Sequence, residues 1–446
     1  MKMNPIPQNI SIKPSEVHKT LSQHLIVDGF DLVVDLQKSK GCYIHDSRSG
    51  KKFLDFFSFF SSSALGMNHP KLTTPEFLEK LAYVSVNKPS NSDVYTVELA
   101  EFVETFGRLA QPEYMPHAFF VDSGTLGNEN ALKTAFDWKV QKNFEKGYTE
   151  ERGQQVLHFR RAFHGRSGYT LSLTNTDPVK TKYFPKFQWP RVHNPAIKFP
   201  LTEENLHQVI EEEKRSLNQI KDALMNFPDD IAAMIIEPIQ AEGGDNHFRK
   251  EFFQELRTIC DENEILLIFD EVQTGVGLTG KMWAHEYYVQ PDMMSFGKKT
   301  HVCGFMCGRK IDDIEENVFR KASRLNSTFG GNLVDMVRFK RIIEIIYEEN
   351  LIENARLLGE YLLSELQAIA FEFPEVVFNP RGLGLMCAID LVTVEKRDEL
   401  IQKAYDKQLV LIGCGEKTIR FRTPLIITKE ELSEGIAIIR KSLQEM

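Results

Sequence analysis

The middle of the chain, from about residue 70 to residue 325, alternates short apolar runs with amphipathic helical patterns. The apolar runs are bounded by turn signals, which is typical of strands buried on both faces of a parallel sheet. This alternation predicts βαβ units and an α/β fold with a mostly parallel sheet flanked by helices. The predicted strands are residues 117–121, 156–159, 231–237, 265–270 and 293–296.

A chain of 446 residues exceeds one typical hydrophobic core, so more than one domain is expected. We predict an N-terminal arm and part of a small domain over residues 1–69, a large domain over 70–325 and a C-terminal small domain over 326–446. The arm should hold a helix near 15–22 and a hairpin over 41–57. The α+β pattern of the last part predicts helices over 332–365 and 430–445 and strands over 376–378, 384–390, 410–412 and 418–421.

Bulk composition excludes several classes of protein. The net charge of −9 argues against a general nucleic-acid binder. The six cysteines lack a framework spacing and no histidine pair accompanies them, so we expect no metal site and free thiols in a reducing cytoplasm. The polar N-terminus lacks the apolar segment of a signal peptide. The sequence has no run of about 20 apolar residues, so we expect no membrane span.

Two polar residues follow neighbouring predicted strands. Asp270 ends the apolar run 265–269, and Lys298 follows Gly297 after the run 293–296. A carboxylate at the carboxyl end of a parallel strand lies where open α/β sheets bind ligands. A lysine beside a buried aspartate suggests pyridoxal phosphate (PLP), with a Schiff base to the lysine and the aspartate against the pyridine nitrogen. Lys299 is adjacent, and the residues alone leave both lysines as candidates.

A possible phosphate site follows the strand 117–121. The turn Ser123-Gly124-Thr125 precedes a helical pattern, so its backbone N–H groups and hydroxyls can face an anion. The same residue types are also ordinary helix caps.

Three further segments carry candidate residues for binding small molecules. Phe163 lies close to a glycine and can stack on a flat ring, and Arg166 can bind a carboxylate with two donors. Glu242 lies in a glycine-rich loop, where a structural role is the common alternative. Arg420 belongs to a predicted strand, where it is either an arginine on the sheet surface or a buried one that needs an acidic partner.

These motifs together resemble the class III PLP-dependent aminotransferases of fold type I, over nearly the whole chain. The run 268–275 (Ile-Phe-Asp-Glu-Val-Gln-Thr-Gly) and the run from Pro291 to Lys298 carry the resemblance most specifically. Within the class, the chain looks most like the L-lysine 6-transaminases (lysine ε-aminotransferases). That closer likeness rests on the tracts 62–70, 162–170, 184–190 and 297–300.

The resemblance implies a seven-stranded sheet and a role for each candidate residue. Lys298 is implied as the Schiff-base lysine, which the Gly-Lys pattern of the class favours over Lys299, and Asp270 as the partner of the pyridine nitrogen. The other implied cofactor contacts are Gln273 at the 3-hydroxyl, Val272 and Phe163 on the two ring faces, Ser123, Gly124 and Thr125 in the phosphate turn, and Thr328 at the phosphate of the partner subunit.

The resemblance also implies how substrates are bound. Arg166 is implied to hold the α-carboxylate of lysine, and Arg420 that of 2-oxoglutarate or glutamate. Glu242 is implied as a switch that pairs with Arg420 only while lysine reacts. The implied protein is a cytoplasmic homodimer that transfers the ε-amino group of L-lysine to 2-oxoglutarate. The alternatives are an aminotransferase for ornithine or 4-aminobutyrate, and a non-catalytic PLP-binding regulatory protein.

Overall fold

The computed structural model describes residues 10–446. Its strands, in chain order, are β1 (Tyr43–His45), β2 (Lys52–Asp55), β3 (His117–Val121), β4 (Gln155–Phe159), β5 (Arg191–Val192), β6 (Ile231–Ile236), β7 (Ile239–Gln240), β8 (Asn246–His247), β9 (Leu266–Asp270), β10 (Met293–Phe296), β11 (Cys303–Cys307), β12 (Val377–Leu383), β13 (Met386–Leu391), β14 (Leu409–Val410), β15 (Ile412–Cys414) and β16 (Thr418–Arg422). Its helices are α1 (Val17–Leu21), α2 (Ser58–Ser61), α3 (Pro75–Ser85), α4 (Val97–Leu109), α5 (Gly124–Glu145), α6 (Gly168–Leu173), α7 (Glu203–Asn226), α8 (Lys250–Glu262), α9 (Leu333–Glu348), α10 (Leu351–Glu372), α11 (Val394–Asp406) and α12 (Lys429–Gln444).

The central sheet has seven strands in the order β3–β11–β10–β9–β6–β4–β5. Strands β10, β9, β6, β4 and β5 run parallel to one another. Every residue of β6 and β9 is buried, which explains why both strands read as continuous apolar runs. The predicted strands of this region are confirmed, and the parallel strands bring their carboxyl ends to one edge of the sheet.

Two strands of the central sheet were missed, the two-residue edge strand β5 and strand β11. Strand β11 pairs antiparallel with both β10 and β3, so the sheet is mixed although mostly parallel. Its sequence, Cys-Gly-Phe-Met-Cys, begins soon after β10 and contains a glycine, which weakens a strand signal. Gly304 has a packing reason, because a Cβ atom there would lie 2.0 Å from the carbonyl oxygen of Phe119.

Three smaller sheets lie outside the central one. Strands β12, β13, β16 and β15 form an antiparallel sheet, β1, β2 and β14 form a mixed sheet, and β7 pairs with β8. Because β2 pairs in parallel with β14, residues from both ends of the chain share one sheet. This pairing supports our proposal of a small domain built from residues 1–69 and 326–446 beside a large domain over 70–325. Residues 1–9 lie outside the described part.

Three predictions for the C-terminal part were wrong in detail. The helical pattern over 332–365 forms two helices, α9 and α10, because Asn350 adopts a left-handed conformation between them. The strand predicted from residue 384 begins at Met386, since Gly384 has a φ of +57° and makes the turn of a hairpin. The strand predicted over 410–412 divides between β14 and β15, which join different sheets. Within residues 10–446, no helix is both long enough and apolar enough to cross a membrane.

Candidate active site

A cavity of about 330 Å³ opens at the carboxyl edge of the central sheet. It lies where β4, β6, β9 and β10 end, which is where open α/β sheets bind ligands. Of the residues predicted for the site, the cavity walls bring together Ser123, Gly124, Thr125, Phe163, Arg166, Glu242, Asp270, Val272, Gln273 and Lys298.

Asp270 lies on the floor of the cavity and is 5% exposed. Its Oδ2 atom accepts hydrogen bonds from Asn128 Nδ2 at 2.7 Å and from the His164 ring, whose Nδ1 lies 2.8 Å away. Its Oδ1 atom accepts from the backbone N–H of Val272 at 3.1 Å and from Ser295 Oγ at 3.3 Å. Four donors around this buried carboxylate fix its orientation.

The two adjacent lysines have different surroundings. Lys298 lines the cavity, whereas Lys299 points away from it and is buried. The Nζ atom of Lys299 donates to the carbonyl oxygens of Gln273 at 2.9 Å and of Ser61 at 3.2 Å. Burial lowers the pKa of Lys298 to about 7, helped by the positive charges of Arg420 and then Arg422. Lys298 is therefore the lysine that offers a neutral amine to the cavity near neutral pH.

A close-packed cradle lines the end of the cavity at the start of helix α5. Ser123 caps the helix, its Oγ accepting from the N–H of Leu126 at 3.3 Å. Gly124 begins the helix, and a Cβ atom there would lie 2.9 Å from Cγ1 of Val272. The first N–H groups of a helix lack partners within the helix and favour an anion. The residues present therefore suit a phosphate group that approaches the backbone closely.

Thr125 is held on the far side of the same cradle. Its hydroxyl lies 2.7 Å from the hydroxyl of Thr170 and 3.1 Å from that of Ser167. Gly165, with a φ of +135°, passes so close that a Cβ atom would overlap Thr125 Oγ1 at 1.9 Å. Only glycine fits here, both for space and for backbone conformation.

Glu242, on the cavity wall, belongs to a charged network. Arg420, 1% exposed, donates to Glu242 Oε2 at 2.9 Å, and its Nε atom has no hydrogen-bond partner within residues 10–446. Glu242 Oε1 lies 2.6 Å from the ammonium of Lys180. Burial opposes ionisation of Glu242, but Arg420 and Lys180 together hold its pKa below the usual value. Arg420 is therefore buried with unused donor capacity.

The neighbouring arginine of β16 has a different role. Arg422 donates to Asp245 Oδ1 at 2.5 Å, and both side chains are buried. Its Nε atom also lies 3.2 Å from Gln273 Oε1, which the Arg420 guanidinium approaches at 3.4 Å. The buried acidic partner of Arg422 neutralises it, and of these two arginines only Arg420 keeps a nitrogen, Nε, without a hydrogen-bond partner within residues 10–446.

Two predicted residues lie away from the cavity floor. Arg166 is exposed and lines the rim. Thr328 is exposed in a loop after Asn326 and is not among the residues that line the cavity of its own chain. That loop is anchored to residues 91 and 92, where the Asn91 side chain donates to the carbonyl oxygen of Gly331 at 3.0 Å.

Four residues at the site received no role from the sequence. Asn128 and His164 orient Asp270, Lys180 binds Glu242, and Glu237 lines the cavity wall. Burial, followed by the negative charge of Asp270, raises the pKa of Glu237 well above its usual value. His164 lies inside the segment Phe163-His164-Gly165-Arg166, whose glycine and arginine were signals for a binding loop.

Comparisons with known proteins agree with this geometry. Residues 27–443 match the family model of class III aminotransferases. The chain is 51% identical over 432 residues to the L-lysine-epsilon aminotransferase of Mycobacterium tuberculosis, covering 96% of each chain. It is 45% identical to the enzyme of that name from Streptomyces clavuligerus, covering 97% of this chain and 95% of the relative.

A solved structure of lysine aminotransferase from M. tuberculosis superposes with a TM-score of 0.95 at 50% identity, covering 97% of this chain and 100% of the other. The family match, the mixed seven-stranded sheet and the cavity at its carboxyl edge lead to one assignment. The chain is an enzyme that belongs to the class III aminotransferases and has their fold type I architecture.

Proposed function

We propose that the cavity holds pyridoxal 5'-phosphate. The cradle of Gly124, Thr125 and Val272 suits its phosphate, and the fixed carboxylate of Asp270 suits a protonated pyridine nitrogen. Gln273 and Phe163 line the space between these two ends. These residues therefore fit an aromatic cation that carries an anionic group on one side.

When bound, PLP supplies an aldehyde that reacts with amines and a ring that withdraws electrons from the reacting carbon. Lys298 would provide the amine that links to it. Because its pKa is about 7, the freed Lys298 amine can accept the proton from the reacting carbon of the substrate and return it. Asp270 would hold positive charge opposite itself while that proton moves. In these roles Lys298 and Asp270 are the catalytic residues.

We propose that the amino group moves from the ε-carbon of L-lysine to 2-oxoglutarate, giving 2-aminoadipate 6-semialdehyde and L-glutamate. The names of the M. tuberculosis and S. clavuligerus relatives support lysine as the donor. Lysine must present its ε-amine, so its α-carboxylate lies far from Lys298, near the rim where Arg166 stands. Glutamate must present its α-amine, so its α-carboxylate lies deep, near Arg420.

The observation that carries this assignment is the pairing of Glu242 with Arg420. One site must accept lysine's apolar stem in one half-reaction and the α-carboxylate of glutamate in the other. With Glu242 on Arg420 the pair is neutral and suits the stem. With Glu242 released, Arg420 can bind a carboxylate, and its unpartnered Nε leaves a donor for it. Glu242 thus acts as a catalytic switch between the two substrates.

A homodimer with a shared active site is the proposed assembly. Thr328 is exposed and would reach the phosphate bound by a partner subunit. Asn91 and Ser92 anchor the loop that carries Thr328. Several large apolar side chains close to them in sequence are also exposed. Exposed apolar surface of this kind marks an interface. The exposed side chains are Tyr83 (78%), Val86 (76%), Val94 (55%), Tyr95 (80%) and Val97 (71%).

The proposed compartment is the cytoplasm. Six cysteines, Cys42, Cys260, Cys303, Cys307, Cys387 and Cys414, are buried free thiols. Unbonded thiols suit a reducing compartment, which supports this location.

The experiment that tests the function follows the cofactor spectrum after mixing with one amino donor at a time. L-lysine and L-glutamate should each convert the aldehyde form to the amine form, and lysine should do so faster than ornithine or 4-aminobutyrate. The product from lysine should be identified as the 6-semialdehyde. Faster conversion by ornithine or 4-aminobutyrate would contradict the donor, and no conversion by any amine would favour a non-catalytic binding protein.

A further inference from the structure

Glu242 is held by two cations, one on each carboxylate oxygen. Arg420 lies 2.9 Å from Oε2, and Lys180 lies 2.6 Å from Oε1. The two cations differ in burial, because the Arg420 side chain is 2% exposed and that of Lys180 is 18% exposed. The carboxylate therefore bridges a buried cation and one nearer the solvent.

Lys180 is held beside Glu242 by its own segment. It ends a short 3-10 turn over Pro178–Lys180 that is capped by Asp177. Its ammonium also donates to the hydroxyl of Thr176 at 3.3 Å and lies 5.7 Å from the ring centroid of Phe163. The long, flexible stem of a lysine lets its ammonium follow a moving partner.

The switch described above, on which this inference rests, requires Glu242 to leave Arg420 whenever glutamate or 2-oxoglutarate binds. A carboxylate released into a largely buried space loses stabilisation unless another cation accompanies it. Lys180 already occupies the second oxygen, so Glu242 can leave Arg420 and remain paired.

We propose that Lys180 is a positioning residue that retains Glu242 in its released state. It thereby sets the balance between the two substrates of the enzyme. Removing the charge of Lys180 leaves the Glu242–Arg420 pair intact, so lysine should still meet this neutral pair. It makes release of Glu242 harder, so substrates with an α-carboxylate at Arg420 should bind more weakly.

The test compares Lys180→Met with the matched control Lys182→Met, in which an exposed lysine near the ring of Tyr183 is replaced. In Lys180→Met, kcat/KM for glutamate and for 2-oxoglutarate should fall about tenfold, mainly through KM, and that for L-lysine less than twofold. Lys180→Arg should restore most of the loss. Binding of glutarate, a dicarboxylate that cannot react, should weaken by a similar factor in calorimetry.

The same substitution made in a Glu242→Gln variant distinguishes retention of Glu242 from direct attraction of the substrate carboxylate by Lys180. In Glu242→Gln, Lys180→Met should add no further loss, because there is no charged switch to retain. An equal loss for lysine and glutamate, or a loss that persists in Glu242→Gln, would overturn the role of Lys180. If the unmodified enzyme converts neither lysine nor glutamate, the proposed function itself fails. If it converts both and Lys180→Met matches Lys182→Met, only this inference fails.

Discussion

The ring of His164 lies with its Nδ1 atom 2.8 Å from the Oδ2 atom of Asp270, and both side chains are buried. A carboxylate only accepts hydrogen bonds, so Nδ1 carries the proton and Nε2 is left without one in the neutral ring. Asp270 is thus oriented by a histidine, an amide, a hydroxyl and a backbone N–H before any ligand binds.

Replacing Asp270 tests how much this oriented carboxylate contributes to the reaction rate. Asp270→Ala should keep part of its cofactor, through the cradle at Gly124, but lose about 10²–10³-fold in single-turnover rate, as for the loss of one preorganised electrostatic group. Ser295→Ala is the matched control, because its hydroxyl is the most distant donor at 3.3 Å. Near-normal single-turnover rates in Asp270→Ala would contradict the role.

The cofactor should be attached to Lys298. Borohydride reduction, digestion and mass spectrometry should place the label on Lys298, and Lys298→Ala should lose turnover. Lys299→Met is the control: it should keep the label but unfold at a lower temperature. Two carbonyl groups lose their donor there, and each buried unsatisfied group typically costs about 1–3 kcal/mol. A label on Lys299 would reverse the assignment.

The lowered pKa of Lys298 predicts a pH dependence in protein freed of cofactor. The Lys298 amine should acylate with a rate that rises to a plateau with a midpoint near pH 7. An unfolded lysine has a pKa of about 10.4, so the unfolded state holds more protons between these values. The contribution of Lys298 to stability should therefore rise with pH from about 7 to about 10. Lys298→Met should stabilise the cofactor-free protein most at pH 7 or below, and an acylation midpoint near 10 would exclude the shift.

Losses in the two half-reactions should be unequal for the carboxylate-binding residues. Arg420→Ala should impair mainly the glutamate half, by about 2–5 kcal/mol, since it removes one partner of a buried charge pair. Arg166→Ala should impair both halves but less severely, because Arg166 is exposed at the rim. Glu242→Ala should slow the lysine half more than the glutamate half. Equal losses in both halves for Glu242→Ala would exclude the switch, and stopped-flow spectra with one donor at a time measure each half.

A shared site predicts that two inactive variants restore each other. Light scattering should give about twice the chain mass of 51.3 kDa. If Thr328 serves the partner's site, refolding Lys298→Ala with a disruptive Thr328→Trp variant should give heterodimers with one intact site. Activity should then exceed that of either variant alone, toward a quarter of the normal value. An active monomer, or no recovery, would count against the shared site.

Strands β4, β6, β9 and β10 were predictable because they are almost wholly buried, as the run ending at Asp270 illustrates. The turn at Gly124 was predictable from a strand followed by small polar residues. Strand β11 was not, since its short run with a central glycine resembles a connection. The contacts of Asp270 with Asn128 and His164 join residues 142 and 106 positions apart, and no local pattern reports such distances.

The choice between Lys298 and Lys299 also depends on tertiary contacts that the local sequence does not report. Both follow Gly297, and their residue type is identical. Only the position of the backbone carbonyls of Ser61 and Gln273 separates the buried anchor from the cavity amine. The partnership of Lys180 with Glu242 likewise depends on a tertiary contact over 62 positions.

The parallel pairing of β2 with β14 has a consequence during synthesis on the ribosome. Leu54 leaves the exit tunnel 355 residues (409 − 54) before its partner Leu409. The hairpin of β1 and β2 must therefore wait with an open edge while the residues between these partners emerge, which exposes it to mispairing with other nascent chains. Premature termination before β14 should leave products with this edge unprotected, and such products are natural substrates for chaperones.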